Sequence, residues 1–124
     1  MIRVLGIGCR QGCSTDELAT LAMAVLEEAD CALEALTALA TAASRLNAPA
    51  VQALAQRWQL PLLGFPAEQL AGQGDVKSPS LAVLQHTGSP SVAEAAALLA
   101  AGTGAQLRVS KRKSAAATAA LAYA

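Results

Sequence analysis

The residues whose types and spacing could do chemistry gather first in the turn Gly6-Ile7-Gly8-Cys9-Arg10-Gln11-Gly12-Cys13-Ser14. A short apolar run, Ile2, Val4, Leu5 and Ile7, leads into it, and a helix start leads out. Such a strand–turn–helix junction collects backbone N–H groups in a concave patch, and the helix dipole adds positive potential there. Arg10 supplies a planar fork for a carboxylate or phosphate. Gly8, Cys9, Arg10, Gly12 and Ser14 are therefore candidate ligand-binding residues for an anion. The same residues also fit a tight, well-capped turn that holds no ligand. Two phosphate-binding patterns fail on spacing. The dinucleotide fingerprint needs a glycine where Gln11 stands, and no Gly-Lys-Ser/Thr follows, as a P-loop requires.

Cys9 and Cys13 flank this turn, and a thiol at a helix N-terminus can become a nucleophile. A catalytic cysteine wants a base nearby, and the single histidine of the chain is His86. The two cysteines read instead as small buried side chains. With Cys31 they number three. An odd count with Cys-x3-Cys spacing does not furnish four zinc ligands. Free, reduced thiols are expected, with no metal and no other cofactor.

Lys111-Arg112-Lys113-Ser114 reads as a basic turn after a strand. Ligands of open α/β sheets bind at the carboxyl ends of strands. If this strand runs parallel to the first, Lys111 shares an edge with the glycine turn and forms, with Arg10, a cationic rim for a polycarboxylate. A solvated charge run is the alternative. Glu94 stands at a helix start, where it can serve as a cap. Placed in the same cleft it would be a hydrogen-bond acceptor or the sole candidate catalytic residue, a general base. His86, in Gln85-His86-Thr87-Gly88, reads as structural or solvated.

These groups need elements to position them. Ile2 to Gly8 reads as a buried strand. Ser14 and Glu17 have capping-box spacing, and Leu18, Leu21, Ala22, Val25, Leu26 and Ala29 recur at helical spacing, ending near Asp30. Ala32 to Leu46 is ambiguous: helix by propensity, yet a strand around Leu36 to Ala40 suits an alternating pattern better. Pro49 opens a helix with Val51, Leu54, Ala55 and Trp58 on its apolar face. Leu60 to Phe65 is a short strand. Residues 66 to 90 are loop-rich, with a short helix near Ser80 to Gln85. Ser91 and Glu94 repeat the capping box, opening an alanine-rich helix that stops at Gly102. Gln106 to Ser110 is a strand. Ala115 to Ala124 is helical by propensity.

The chain has 124 residues, the length of one domain spanning 1–124, and folding should bury roughly two thirds of its surface. It is 54% hydrophobic and 15% charged. Much of the apolar content is alanine, and charged or polar residues break each apolar stretch before about 18 residues, so no membrane span is expected. The first residues do not resemble a signal peptide, and the chain is read as cytoplasmic. Nine basic and nine acidic residues balance, and aromatic residues are limited to Trp58, Phe65 and Tyr123. Neither a broad electrostatic footprint nor a stacking platform for nucleic acid is present.

Several segments, taken in order, resemble the CobE family, whose domain also forms the C-terminal part of CbiG proteins. Gly6-Ile7-Gly8-Cys9-Arg10-Gln11-Gly12 with Ser14 resembles the family's opening. Gly88-Ser89-Pro90-Ser91-Val92-Ala93-Glu94-Ala95-Ala96-Ala97-Leu98 resembles its second signature, and Ser78-Pro79-Ser80 fits a family position, which adds Ser80 and Ser91 to the candidate ligand residues. Lys111-Arg112-Lys113-Ser114 with Ala117-Thr118-Ala119-Ala120-Leu121-Ala122 resembles its close. The resemblance implies a single-domain α/β fold, a three-layer α/β/α sandwich on a mostly parallel sheet. It also implies that the alanine-rich tail is a strand, and this is preferred over propensity. It implies a role in cobalamin (vitamin B12) biosynthesis, with a corrinoid or precorrin intermediate as ligand and other enzymes of that pathway as possible partners. Either the chain binds such a tetrapyrrole as carrier or accessory protein, or it is a CbiG-like hydrolase that opens a cobalt-precorrin lactone and releases acetaldehyde. Two departures stand out. A Lys-x-x-Glu pattern in the family corresponds to Arg45-Leu46-Asn47-Ala48, so its acidic position is alanine. Cys13 stands where the family commonly has threonine.

Overall fold

The structure is a computed structural model, described for residues 2–71 and 92–124. Strand β1 (Arg3–Cys9) is followed by helix α1 (Thr15–Glu28), strand β2 (Ala38–Ala42), helix α2 (Pro49–Trp58), strand β3 (Leu62–Phe65) and the short helix α3 (Ala67–Ala71). Helix α4 (Val92–Ala101) and strands β4 (Gln106–Lys113) and β5 (Ala117–Tyr123) complete the order. The five strands form one sheet in the order β3-β2-β1-β5-β4.

β1 pairs parallel with β2, and β2 with β3. β5 pairs antiparallel with both β1 and β4. The sheet is therefore mixed, where the sequence points to a mostly parallel one. The cause is local: a tight turn at 114–116 folds β5 directly back along β4. Four strands still share one direction, because two antiparallel steps return β4 to the sense of β1. The condition for a shared edge between the glycine turn and the carboxyl end of β4 is met.

Alternate residues of β1 face opposite layers. Leu5, Ile7 and Cys9 pack with Leu18, Val25 and Leu26 of α1 and Val51 and Leu54 of α2. Val4 faces the other way, into a cluster with Ala40, Leu70 and the α4 residues Ala96, Ala97 and Leu98. Helices thus cover both faces, giving three layers. Gly6 and Gly8 also face the α4 layer. A Cβ at Gly6 would run into the backbone carbonyl of Ala93, so α4 rests on bare β1 backbone. Buried Thr41 of β2 donates its hydroxyl to the Ile7 carbonyl at 2.7 Å, which satisfies the polar group and ties β2 to β1.

The tail is β5, a strand, as the family resemblance implies and against alanine's helix propensity. Ala117, Ala119, Ala120, Leu121 and Ala122 are buried. Packing between two helical layers and two neighbouring strands outweighs a preference of a few tenths of a kcal/mol per residue. The basic segment differs from its expected form. β4 runs through Lys111 and Arg112 to Lys113, with register shifts between Leu107 and Val109 and between Val109 and Arg112, so the turn begins only at Ser114. Capping at α1 matches expectation, with the Glu17 N–H donating to Ser14 Oγ at 3.0 Å. Among the described residues no helix is long and apolar enough to cross a membrane. The expected short helix near Ser80 to Gln85 lies outside the described residues.

Gly6→Ala should be destabilising, by about 1–3 kcal/mol, because the added methyl must displace helix backbone rather than a flexible side chain. Equilibrium denaturant unfolding of the two proteins measures it.

Candidate functional site

A cleft of about 350 Å³ opens at the carboxyl ends of β1, β2 and β4. Three chain segments and the start of α4 build it. Gly8, Cys9 and Arg10 come from the end of β1. Ala42, Ser44 and Arg45 come from the end of β2 and the 3-10 turn that follows. Lys113 to Thr118 come from the β4–β5 turn, and Val92 from the first turn of α4. The site lies where β1 has β2 on one side and β5 on the other, the place in an open α/β sheet where a crevice forms.

The glycine turn earns its glycines at two places. At Gly8 a Cβ would strike Thr118 Oγ1. At Gly12 φ is +88°, and the Cys13 N–H donates back to the Arg10 carbonyl at 2.9 Å. This is a tight turn whose third residue needs positive φ. The turn is tied across to the β4–β5 turn by the Arg10 N–H, which donates to the Ala116 carbonyl at 2.8 Å.

Cys9 and Cys13 are bonded to each other through their sulfurs, with Cα atoms 5.8 Å apart. This corrects the expectation of three free thiols, which holds only for Cys31. The tight turn brings the two Cα atoms into disulfide range, and counting cysteines could not show that.

The opposite wall is held by Glu17. Its carboxylate accepts from the Ser114 hydroxyl and from the Ala116 N–H, the latter at 2.7 Å. The sequence assigned this residue to a capping box. Its backbone does take part in the cap, while its side chain clasps the β4–β5 turn. The hydrogen bond from Ser114, then that from Ala116, holds the carboxyl below its ordinary pKa. Just before that turn, on β4, Arg112 forms a two-pronged pair with Glu28 at 2.8 and 2.9 Å. That pair anchors β4 to the end of α1 and likewise lowers the Glu28 pKa.

The predicted site residues separate. Gly8, Cys9 and Arg10 line the cleft, whereas Gly12 shapes the turn and Ser14 caps α1. Lys111 does not line the cleft; its backbone N–H donates to Glu94 Oε2 at 2.9 Å. That contact joins α4 to β4 away from the lining. Ser80, Ser91 and His86 fall outside the described residues. The sequence reading missed Arg45 and Lys113 as lining residues. Both had a signal: Arg45 occupies a basic position in a family motif, and Lys113 belongs to the same basic run as Lys111. Among the described lining residues Arg10, Arg45 and Lys113 are cationic and none is acidic. No group of His, Cys, Asp and Glu suited to a metal is found among the described residues.

Residues 3–122 match the family described as Cobalamin synthesis G C-terminus. The chain belongs to that family. It is a cobalamin biosynthesis protein. Protein CobE of Sinorhizobium sp. is 39% identical over 120 residues, spanning 96% of this chain and 78% of that protein. The crystal structure of CobE, a protein from the cobalamin biosynthetic pathway, superposes with a TM-score of 0.82 at 37% identity, covering 98% of this chain and 89% of that one. The cobalamin biosynthesis protein chiG from Agrobacterium tumefaciens gives 0.78 at 33% identity, covering 98% of both chains. Within this Cobalamin synthesis G C-terminus domain, the opening and closing motifs of the sequence converge on one cleft.

Because the Glu17 pKa is lowered on folding, its contribution to stability is present above the ordinary value of 4.5. It is lost as pH falls toward the lowered value. Thermal melts of wild type and Glu17→Gln should therefore differ most at neutral pH and converge in acid. Glu28 is common to both proteins and cancels in the comparison.

Proposed function

We propose that this chain binds a corrin-pathway tetrapyrrole intermediate, a precorrin or cobyrinic-acid-like molecule, as a cytoplasmic carrier or accessory protein working beside other enzymes of the pathway. The observation that carries this reading is the charge pattern of the cleft. Arg10, Arg45 and Lys113 surround apolar surface from Ala42, Val92 and the alanines at 115–117, with no acidic lining residue among those described. Corrin precursors carry acetate and propionate carboxylates around a large apolar ring. Charge-assisted hydrogen bonds from guanidinium and ammonium groups suit the carboxylates. Ser44 and Thr118 add hydroxyls. The volume sits near the lower end of the roughly 300–1,000 Å³ typical of ligand sites, so the cleft suits one carboxylate-bearing edge of the macrocycle.

Spectroscopic titration with cobyrinic acid tests the reading. Binding without turnover supports it. Acetaldehyde released from a cobalt-precorrin lactone would favour the hydrolase, and no spectral change with any corrin intermediate would leave a module that acts through other proteins.

Arg10→Ala, Arg45→Ala and Lys113→Ala should each weaken binding about ten- to a hundredfold, the worth of one hydrogen bond to a charged group. Lys111→Ala should have the smaller effect of a charge outside the lining. The affinity should fall with added salt, since the three cations are exposed.

A further inference from the structure

We propose that Cys9 and Cys13 form a thiol–disulfide exchange site that sets the geometry of the cleft's arginine turn. The placement supports this in three ways. First, the bridge joins the last residue of β1 to the residue before the α1 cap, a sequence separation of 4. It closes a small ring around the three residues that include Arg10 and Gly12. Secondly, the two sulfurs differ in access. Cys9 is 7% exposed and packs with Ile7 and Val25 in the core, whereas Cys13 is only partly buried at its margin. Thirdly, the ring is mechanically connected to the cleft. The Arg10 backbone bonds to Ala116, and Glu17 holds the same turn. Cys31 stands beyond the far end of α1, roughly 20 Å along a helix of that length, and is not within reach as a competing partner.

The chemistry needs a small thiol of the glutathione class. Its thiolate attacks the more accessible Cys13 sulfur, breaking the S–S bond, forming a mixed disulfide and releasing the Cys9 thiolate, which takes up a proton. A second thiol attacks the mixed disulfide, freeing Cys13 as a thiol and leaving the small-molecule disulfide. Two electrons pass from the two small thiols to the protein pair. The reverse sequence, from the small disulfide, oxidises it. Disulfides in reducing compartments are mostly transient and redox-sensing or catalytic, and this ring has the position for such a role. The link to affinity rests on the proposed tetrapyrrole site, whereas the exchange itself does not.

The test uses the full chain equilibrated in glutathione buffers of stepped oxidation. Peptide mapping and intact mass follow the linkage, and amide hydrogen exchange reads residues 10–13. The expected result is a reversible Cys9–Cys13 link that excludes Cys31, with exchange in the turn about tenfold slower when linked. Cys13→Ser should make that exchange indifferent to the buffer. The Cys31→Ser variant should behave as wild type, which keeps the test independent of any folding defect at position 13. Failure of the link to form in the folded protein, or equal exchange in both states, overturns the inference. Cobyrinic acid is then titrated into both forms. Affinities that differ several-fold extend the effect to the ligand, and equal affinities overturn that coupling. Absence of binding in either form counts against the proposed function alone, with hydrogen exchange still deciding the redox site.

Discussion

The ladder between β1 and β5 runs from Arg3 opposite Tyr123 to Cys9 opposite Ala117. It joins the first strand of the chain to the last along their whole lengths. Because β5 runs against β1, its beginning lies beside the end of β1. The turn feeding β5 is therefore delivered to the glycine turn leaving β1. The walls formed by the glycine turn and the β4–β5 turn follow from that closure. A register slip by one residue would turn each β5 side chain to the other layer. It would also part the Arg10 N–H from the Ala116 carbonyl. Backbone pairing between sequence-distant strands thus sets the site, and the surrounding side chains refine it.

Around that closure the polar interactions are few and local. Glu17 spans from α1 to the β4–β5 turn, Arg112 and Glu28 tie β4 to the other end of α1, and Glu94 holds β4 against α4. Each uses a carboxylate from a helix to restrain the hairpin. The acidic residues near the cleft are thereby engaged behind its wall, and the cations remain on its lining. A nearly neutral chain acquires a locally positive site by this division of labour, without a basic excess in its composition.

Much of this was readable in the residues. β1, the Ser14 cap, the proline-led α2 and the strand at Leu62–Phe65 follow from apolar period and capping chemistry alone. The tail did not, because alanine's local preference is helical and only the three layers around it make it a strand. The basic run was partly legible. Its charges marked an edge, but β4 runs on to Lys113, so the lysine at the strand's end lines the cleft and Lys111 does not, and where a strand ends leaves no mark in composition. The cysteine pair was hidden by its short spacing, since proximity depends on Gly12 adopting a positive φ. Arg45 lies far in sequence from Arg10, and only the parallel pairing of β2 with β1 brings their strand ends together.

The alanines of α4 carry a consequence for the history open to this sequence. Ala93, Ala95, Ala96 and Ala97 are fully buried, and Ala93 and Ala97 lie against a strand stripped to glycine at position 6. Helix and sheet meet there almost backbone to backbone, leaving no side-chain volume to trade. The opposite layer, with its leucines and valines, can drift by exchanging one branched chain for another of similar bulk. Where Ala93 and Ala97 meet Gly6, the α4 layer can drift only among the smallest residues. Neutral change should therefore accumulate unevenly, with one face of the sheet slowly rewriting its packing while the other keeps its spelling.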